Sequence, residues 1–195
     1  MNKPSNTSED ILACARTLIA SGGYNGFSYA DIAQVVSIRK ASIHHHFPAK
    51  VDLVKALIAR YRQDTEAGVA YIEGSAPGAL DQLRAYVQYW KTCIGDGSSA
   101  FCVCAMLASE LPILPHEVAL EVRSYFRFLS GWLASLLERG AQQGLIVLGS
   151  GDARSEAEAF MATVHGAMLS ARAYGDPAVF GVIMDQQLFR LAAKP

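Results

Sequence analysis

Residues 28–50, SYADIAQVVSIRKASIHHHFPAK, decide the fold of this chain because they begin with a clear helix start. Ser28 is a good N-cap, since its side chain can accept a hydrogen bond from the first free backbone N–H groups of a helix. Asp31 follows three residues later, where an acid favours the positive end of the helix dipole. The pattern predicts a short helix over about residues 29–35.

The same stretch continues with a tight turn at residues 36–38 and a second short helix over about residues 39–46. This second helix is polar and has only Ala41 and Ile43 to anchor it. An isolated helix of this length is unstable in water, so it needs contacts from outside. The arrangement predicts a helix-turn-helix, in which one side of the second helix packs on the first and the other side enters a DNA major groove.

The flanking sequence supports this interpretation. An amphipathic helix over about residues 9–21 precedes the motif, and Gly22 and Gly23 end it. Pro48 follows the motif in a position that suits the first turn of another helix. The apolar residues of the preceding helix recur at helical spacing: Ile11, Leu12, Ala15, Leu18 and Ile19.

Together these residues resemble the N-terminal domain of TetR-family transcriptional regulators. The resemblance covers about the first quarter of the chain, and its combined pattern is specific. The matching elements are Ile11-Leu12-x-x-Ala15, Gly23-Tyr24, Asp31-Ile32-Ala33, Ile38-x-Lys40-Ala41-Ser42-Ile43 and His46-Phe47-x-x-Lys50-x-x-Leu53. The resemblance implies an all-α dimer with a DNA-binding domain over residues 1–50 and a helical ligand-binding and dimerisation domain over residues 51–195.

Three positions depart from the family pattern. Ser37 stands where the family usually has a turn glycine, and Arg39 stands where it usually has a capping serine. His44 stands where a phosphate-binding tyrosine is common. These departures bear on the geometry of the head and on the operator sequence that it reads.

The residues expected to contact or position DNA lie in and around the second helix. Lys40 and Arg39 are placed for base edges or phosphates at the helix start, where an arginine can bind guanine through two hydrogen bonds. Ala41 is small enough for close approach or for contact with a thymine methyl group. The full predicted set is Ser28, Arg39, Lys40, Ala41, Ser42, His44, His45 and Lys50.

The charge distribution fits a DNA-binding head on an acidic body. The net charge of the chain is −1. Residues 1–60 hold seven Lys/Arg and four Asp/Glu, whereas residues 61–195 hold ten and fourteen. A basic end on an otherwise acidic chain is consistent with contact to DNA at that end.

The chain shows no secretory segment and no apolar run of the ~20 residues that a membrane helix needs. Its four cysteines, at positions 14, 93, 102 and 104, do not suggest a disulfide scaffold in a chain of 195 residues. We therefore expect a cytoplasmic, reduced protein that does not bind membranes.

Beyond residue 50 the chain reads as long helices separated by glycine and proline clusters, with no sustained alternation typical of strands. The fold class is therefore predicted to be all-α with about nine helices. A helix over about residues 49–73 is expected to leave the head and continue into the body. The breaks fall at residues 74–78, 95–99, 112–115, 149–151 and 175–177.

Two of these helices, over about residues 117–143 and 154–174, are more apolar than ordinary surface helices. One interpretation is a thick monomer core. The favoured one is a four-helix interface between two copies, which would give the two recognition helices that a two-fold operator requires. The residues expected at this interface are Phe128, Trp132, Phe160, Val164, Ala167, Met168 and Ala171.

The TetR resemblance implies that helices of the body surround a small-molecule inducer, and the aromatic and methionine side chains on these helices suit a mostly apolar ligand. Cys102 and Cys104 have two interpretations: buried thiols that act as small apolar groups, or a thiol sensor whose pKa is lowered near a helix start. The predicted ligand-binding or sensing residues are Tyr86, Tyr89, Trp90, Cys102, Cys104, Met106, Phe126, His165 and Met168.

We expect no metal and no cofactor. Adjacent residues on a helix point about 100° apart, so three histidines in a row at residues 44–46 do not converge on one ion. No P-loop, dinucleotide fingerprint, G-x-S-x-G or H-E-x-x-H sequence is present.

The sequence therefore predicts a dimeric regulator that binds a palindromic operator and that an apolar or thiol-reactive molecule releases, most simply as a repressor. Two alternatives stay open. One is a thiol-dependent enzyme that uses Cys102 with His116 or His165. The other is a helical dimer whose head no longer binds DNA, which Ser37 and Arg39 leave possible.

Overall fold

The computed structural model describes residues 7–99, 101–149 and 151–193, and this part of the chain is almost entirely helical. A short 3₁₀ turn lies at Leu111–Ile113. The prediction of an all-α fold with about nine helices is confirmed within these ranges. The helices are α1 (Thr7–Gly22), α2 (Tyr29–Val36), α3 (Lys40–His46), α4 (Lys50–Ser75), α5 (Ala79–Gly95), α6 (Val103–Ser109), α7 (His116–Gln142), α8 (Ala153–Tyr174) and α9 (Ala178–Leu191).

The contacts divide the chain into two compact units. Unit 1 comprises Met1–Gln63 and Cys102–Tyr125, and unit 2 comprises Asp64–Phe101 and Phe126–Pro195. Helices α4 and α7 each contribute residues to both units. The predicted functional boundary at residue 50 is a different division, because it separates a DNA-reading segment rather than a cluster of contacts, and it stays a prediction.

Unit 1 is built around α1, which packs against α2, α3 and α6, while α2 also packs against α3. The spacing of its apolar residues explains this, since Ile11, Ala15 and Ile19 recur every four residues and are fully buried. Ile32 of α2 and Ile43 of α3 are fully buried as well. The helix-turn-helix is therefore held on a core that α1 supplies.

Unit 2 is organised by α9, which packs against α8 and α5. Its interior includes the fully buried side chains of Leu83, Leu129, Phe160 and Phe180. Helix α8 begins where the side chain of Asp152 accepts a hydrogen bond from the Ser155 N–H at 2.8 Å.

The end of α9 is tied to the segment that follows α7. An isolated antiparallel bridge joins Ile146 and Ala192. The backbone N–H of Val147 donates to the carbonyl of Leu191 at 2.8 Å. The carboxylate of Glu156, which is buried on α8, accepts hydrogen bonds from the Arg190 guanidinium and, at 3.2 Å, from the Gly149 N–H. These bonds fix the C-terminal helix onto unit 2.

A second polar network ties three helices of unit 2 together. The Glu73 carboxylate, near the end of α4, accepts hydrogen bonds from the Trp132 indole at 3.1 Å and from Arg139 at 3.0 Å, both on α7. Arg139 also donates to the side chain of Gln82 on α5 at 3.1 Å. The end of α4 is thereby anchored in unit 2. No helix in the described part of the chain combines the length and apolar character that crossing a membrane requires.

Candidate nucleic-acid interface

The start of α2 has the predicted cap. The Ser28 side chain accepts a hydrogen bond from the Ala30 N–H at 3.2 Å, and the Asp31 carboxylate accepts one from the Ser28 N–H at 2.7 Å. These reciprocal bonds form a capping box. The Ser28 hydroxyl also donates to the Asp31 carboxylate at 2.8 Å. The bonds from the Ser28 hydroxyl and N–H hold the pKa of Asp31 below its usual range, with the nearby Lys40 charge as a smaller cause. Ser28 therefore serves the geometry of the head.

The turn between α2 and α3 depends on an unusual backbone conformation. Ser37 ends α2 with φ 59° and ψ 43°, in the left-handed region. Among the described residues, Ser37 is the one non-glycine residue with a positive φ. A side chain in this region costs roughly 1 kcal/mol relative to glycine. The turn therefore keeps the geometry that glycine usually provides, at some cost in stability.

Helix α3 presents one face to solvent. Successive helical residues are about 100° apart, which places Ala41 and His45 opposite the buried Ile43, with His44 and then Lys40 on the flank beside them. All four are exposed. We call these four residues the outward face of α3. Arg39, the N-cap residue, is exposed beside this face, whereas Ser42 is half-buried at its edge.

Tyr29 supports α3 and was not singled out from the sequence. Its hydroxyl donates a hydrogen bond to the carbonyl of Phe47 at 2.9 Å, and its ring lies 4.8 Å from the ring of His44. Burial, with a contribution from the Asp52 charge, raises the pKa of Tyr29 to about 12. The hydroxyl therefore stays protonated and holds the end of α3. A tyrosine right after a helix cap is a weak sequence signal, because its partner is 18 residues away.

The structure gives Lys50 a role different from the predicted phosphate contact. Its ammonium group donates to the carbonyl of Phe27 and lies over two aromatic rings, 4.0 Å from the centre of Phe27 and 5.0 Å from that of Tyr24. Burial lowers the pKa of this amine. Lys50 therefore fastens the start of α4 to the segment before α2, and its phosphate contact stays a prediction.

Glu110, just after α6, holds the same segment from another side. Its carboxylate accepts a hydrogen bond from the Tyr24 N–H at 2.7 Å. A Cβ atom on Gly23 would lie 2.4 Å from the Glu110 carboxylate, and Gly23 also has a positive φ of 75°. This contact joins residues 86 positions apart, so no local pattern in the sequence could have revealed it.

The two cysteines of the predicted sensor lie in the core of unit 1. Cys102 and Cys104 are fully buried. The Tyr61 hydroxyl donates to the Cys102 sulfur at 3.6 Å, and the Cys102 thiol donates to the Tyr125 hydroxyl at 3.8 Å. Burial, followed by the effect of Cys102, raises the pKa of the Cys104 thiol well above its usual value. This environment favours the interpretation of Cys104 as a core residue over that of a reactive thiolate.

The other predicted ligand-binding residues are distributed over both units. Met106 is half-buried on α6 in unit 1. In unit 2, Tyr86, Trp90 and Met168 are buried, Tyr89 is 50% exposed, and His165 packs against Phe126 with ring centres 5.3 Å apart. The Trp90 indole N–H has no acceptor among the described residues.

Unit 2 also has a surface groove of about 430 Å³ between α5 and α9, and none of the predicted ligand-binding residues line it. It is open to solvent, and two of its walls carry the ion pair between Lys91 and Asp185. The groove is lined by Arg84, Val87, Gln88, Lys91, Asp185, Leu188, Phe189 and Ala192.

The predicted dimer residues require a correction. Trp132, on α7, has little exposed surface, and five predicted residues on α8 are buried within the single chain, while Phe128 is half-buried. Buried side chains of one chain are not available to a second copy. The buried α8 residues are Phe160, Val164, Ala167, Met168 and Ala171. The apolar side chains that α8 and α9 expose are different ones: Leu169 at 58%, Val182 at 66% and Phe189 at 74%.

No group of three or more potential metal ligands occurs among the described residues. The three histidine rings of α3 have different surroundings. His44 lies against Tyr29, His45 lies edge-on to His46, and the His46 ring is 6.3 Å from that of Phe47. The histidines are therefore available as separate polar groups.

Known proteins resemble this chain in both sequence and structure. The family model for bacterial regulatory proteins of the tetR family matches residues 11–57. A TetR-family transcriptional regulator from Agrobacterium tumefaciens is 61% identical, with 98% of this chain and 100% of that chain covered and a TM-score of 0.94. A TetR transcriptional regulator from Legionella pneumophila is 32% identical, with 96% and 99% covered and a TM-score of 0.84.

A more distant solved structure, E. coli NemR in its reduced form, is 18% identical, with 96% of this chain and 98% of that chain covered. Its TM-score is 0.81, and at this identity the likeness shows the fold alone. No curated protein matches the chain.

Proposed function

Because the chain belongs to the TetR family of bacterial regulatory proteins and is a DNA-binding transcriptional regulator, we propose that it acts as a dimeric repressor released from its operator by a small molecule. The observation that carries the proposal is the outward face of α3. A seven-residue helix that buries only Ile43 leaves its other side for a partner. Lys40 and the adjacent Arg39 supply the positive charge that phosphates and guanine edges attract.

Ala41 allows close approach to the base edges. Ser42, half-buried beside the outward face, and His44, exposed within it, are proposed for backbone contacts. His45 lies on the same face, next to His46. Ser28 contributes by capping α2. A single short helix reads few base pairs, which is why a two-fold dimer and a palindromic operator with half-sites ~34 Å apart, or a multiple of that distance, suit this head.

The proposed dimer interface consists of the exposed faces of α8 and α9. Leu169, Val182 and Phe189 expose apolar area that a second copy would cover. Small residues at Ala162 and Gly166 are exposed on the same helix as Leu169 and permit close helix approach. Two helices from each copy would form a four-helix interface, in place of the α7 and α8 pair expected from the sequence.

The interface is tested by the oligomeric state in sedimentation. We expect a dimer for the unmodified chain and a monomer for Leu169→Glu, because the carboxylate would be buried without a partner. Val147→Glu is the matched control, since Val147 is also exposed but lies outside α8 and α9. A Leu169→Glu variant that remains dimeric would place the interface elsewhere.

For the inducer, we favour an apolar molecule that binds without a covalent bond, because Cys102 and Cys104 are buried and the Cys104 pKa is raised. The residues proposed to line its site are the predicted aromatic and methionine side chains of unit 2: Tyr86, Tyr89, Trp90, Phe126 and Met168. Helix α4 contributes residues to both units and is the continuous segment through which a change in unit 2 would reach the head. Release requires only that the ligand bind the two arrangements with different affinity.

DNA binding is tested by the affinity of the purified chain for the DNA upstream of its own gene and for duplexes that it selects from a random pool. We expect Lys40→Ala to weaken binding about tenfold or more and to lower the salt dependence by about one phosphate contact. Arg127→Ala removes the same charge from an exposed site on α7 and serves as the control. A head that no longer binds DNA would give no specific, salt-dependent binding for any of these proteins.

The thiol-dependent alternatives are tested by alkylation with iodoacetamide. We expect the half-buried Cys14 and Cys93 to react before Cys102 and Cys104, because the latter pair is buried. Fast modification of Cys102 that releases DNA, and that Cys102→Ser prevents, would instead support the thiol sensor. A thiol-dependent activity that survives Lys40→Ala without operator binding would support an enzyme.

A further inference from the structure

The outward face of α3 contains two imidazole groups. Of the five histidines in the chain, three follow one another in α3, and His44 and His45 lie on the same side as Lys40. Both are exposed. Histidine is the side chain whose charge a nearby group can most readily change close to neutral pH, and a phosphate is such a group.

The surroundings of His44 determine which ring nitrogen faces outward as an acceptor. Its Nδ1 atom lies 3.1 Å from the carbonyl oxygen of Pro48. A carbonyl oxygen only accepts hydrogen bonds, so Nδ1 carries the hydrogen in this arrangement. In the neutral ring, Nε2 then has a lone pair and no hydrogen. A phosphate oxygen is also an acceptor, so the neutral ring cannot bond to it through Nε2.

Protonation of the His44 ring changes Nε2 from an acceptor into a donor. The imidazolium ring donates from both nitrogens, so Nδ1 keeps its bond to Pro48 while Nε2 becomes a charged donor. Charge-assisted bonds to phosphate are about twice as strong as neutral ones. His44 can therefore contact a phosphate with full strength only after it takes up a proton.

Apart from histidine, the elements packed against α3 supply no side chain that ordinarily changes its charge between pH 6 and 8. Carboxylates and ammonium groups ordinarily keep one charge between pH 6 and 8. The Tyr29 hydroxyl has a pKa of about 12, and burial raises the pKa of Cys14. The charged and titratable groups nearby are Tyr29 and Asp31 on α2, Cys14 on α1, Lys50 and Asp52 on α4, and Lys40 and His46 on α3 itself, with Arg39 at its N-cap. The His46 ring lies 5.5 Å from that of His45.

We propose that operator binding is coupled to proton uptake by His44 and His45, so that the chain holds DNA more tightly at pH 6 than at pH 8. The inference rests on the proposed function, since it requires the outward face of α3 to meet DNA. Negative phosphates raise the pKa of an imidazole that they contact. By linkage, the gain in affinity is present at low pH and is lost as the pH rises through the pKa values of the bound histidines.

The test measures dissociation constants at constant ionic strength between pH 6 and 8 for duplexes that the full chain selects from a random pool. A rise of one unit in the pKa of one histidine corresponds to a tenfold change in affinity, so we expect binding to weaken about tenfold or more over this range. His44→Gln and His45→Gln should each reduce the pH dependence, and the double variant should nearly abolish it. His46→Gln removes the neighbouring imidazole outside the outward face and should leave the pH dependence in place. Circular dichroism at each pH checks that every variant is folded.

His116→Gln is the matched control. His116 is an exposed histidine at the start of α7, outside the head, and its replacement should leave the pH dependence unchanged. A second measurement needs no variant. Titration calorimetry at pH 7 in two buffers of different ionisation enthalpy should show net proton uptake by the unmodified chain when it binds the duplex.

The outcomes separate the inference from the proposed function. Specific binding whose affinity does not change with pH, or calorimetry without proton uptake, would overturn the inference and leave the regulator intact. An unchanged pH dependence in the double variant would overturn it as well, because the protons would then bind elsewhere. The absence of specific binding at every pH would overturn the proposed function and the inference together.

Discussion

Helices α3 and α8 are held in place in opposite ways. Helix α8 buries nine of its 22 residues and ends at Gly175, whose positive φ suits glycine. Helix α3 buries one of its seven residues, and Arg39 makes no side-chain capping bond at its start. What fixes α3 comes from its neighbours, above all the bond from Tyr29 to the Phe47 carbonyl and the core residues of α1.

A helix whose surface is left open for a partner must therefore be stabilised by the elements packed on its other side. A helix such as α8 gains its stability from its own buried face, so changes on its far side are tolerated. A helix such as α3 has one buried anchor and a set of exposed side chains that contribute little to folding. Its exposed residues can therefore be replaced with effects on binding alone.

The largest expected effect is at the buried face of α8. Phe160→Ala removes a fully buried ring, and we expect the free energy of unfolding to fall by about 3–5 kcal/mol. Chemical denaturation followed by circular dichroism measures this change. The control on the same helix is Arg154→Ala, which breaks only an exposed ion pair with Glu158 and should cost under about 1 kcal/mol. Equal losses for the two variants would contradict the view that α8 is held by its buried face.

The corresponding change in α3 is Ile43→Ala. Ile43 is the one buried residue of this helix, so we expect a loss of about 2–4 kcal/mol and loss of DNA binding. Ala41→Ser, on the outward face, should leave the denaturation midpoint unchanged. If Ile43→Ala bound DNA with unchanged affinity, α3 would be held by contacts other than its single anchor.

A smaller effect is expected at the buried carboxylate of α8. Glu156→Gln removes the charge that the Arg190 guanidinium contacts, while keeping an oxygen for the Gly149 N–H. Because the Arg190 side chain is half exposed and can be hydrated, we expect a loss of about 1–2 kcal/mol. The melting temperature measures it, with Glu138→Gln, an exposed change on α7, as the control. A neutral result would show that the ion pair contributes nothing beyond the remaining hydrogen bond.

The turn before α3 offers a change that should stabilise the head. Ser37→Gly relieves the positive φ of 59°, and we expect a gain of about 1 kcal/mol. Hydrogen exchange of the α3 amides measures it, because opening of the head is reported locally. Ser37→Ala retains the Cβ atom and should give no such gain, and a stabilised Ser37→Ala variant would contradict the strain explanation.

The smallest expected effect is the loss of the α2 cap in acid. The hydrogen bonds from Ser28 lower the pKa of Asp31 in the folded chain, so its contribution is fully present above the ordinary carboxyl pKa of about 4. This contribution is lost as the pH falls through the lower pKa of the folded state. Denaturation at several pH values should show Asp31→Asn less stable than the unmodified chain at pH 7 and equal to it in strong acid. A constant difference across this range would assign the effect to something other than the charge.

Local signals predicted the head well. Ser28, Asp31 and the position of the turn at Ser37 depend on residues close in sequence, and the structure has the capping box and the left-handed turn at these positions. The helix boundaries beyond residue 50 follow glycine and proline clusters in the same way. These features are set by the backbone requirements of a few adjacent residues, which the sequence states directly.

Features that depend on distant residues could not be read from the sequence. The sequence predicted a phosphate contact for Lys50, but it did not show that the rings of Tyr24 and Phe27 lie beside the ammonium group of this residue. The start of α6 suggested a lowered thiol pKa, but burial raises that of Cys104. In α8 the periodicity revealed an apolar face, yet it could not tell whether that face meets its own chain or a second copy.

The contact between Gly23 and Glu110 has a consequence for how relatives of this chain can vary. Any side chain at position 23 would occupy the space that the Glu110 carboxylate now fills. Because this carboxylate is the end of a flexible side chain, a larger residue at position 23 is expected to displace it and to break its bond to the Tyr24 N–H. We therefore expect positions 23 and 110 to vary together among relatives. A library that randomises the head while residue 110 is fixed would lose the sequences that need a change at both positions.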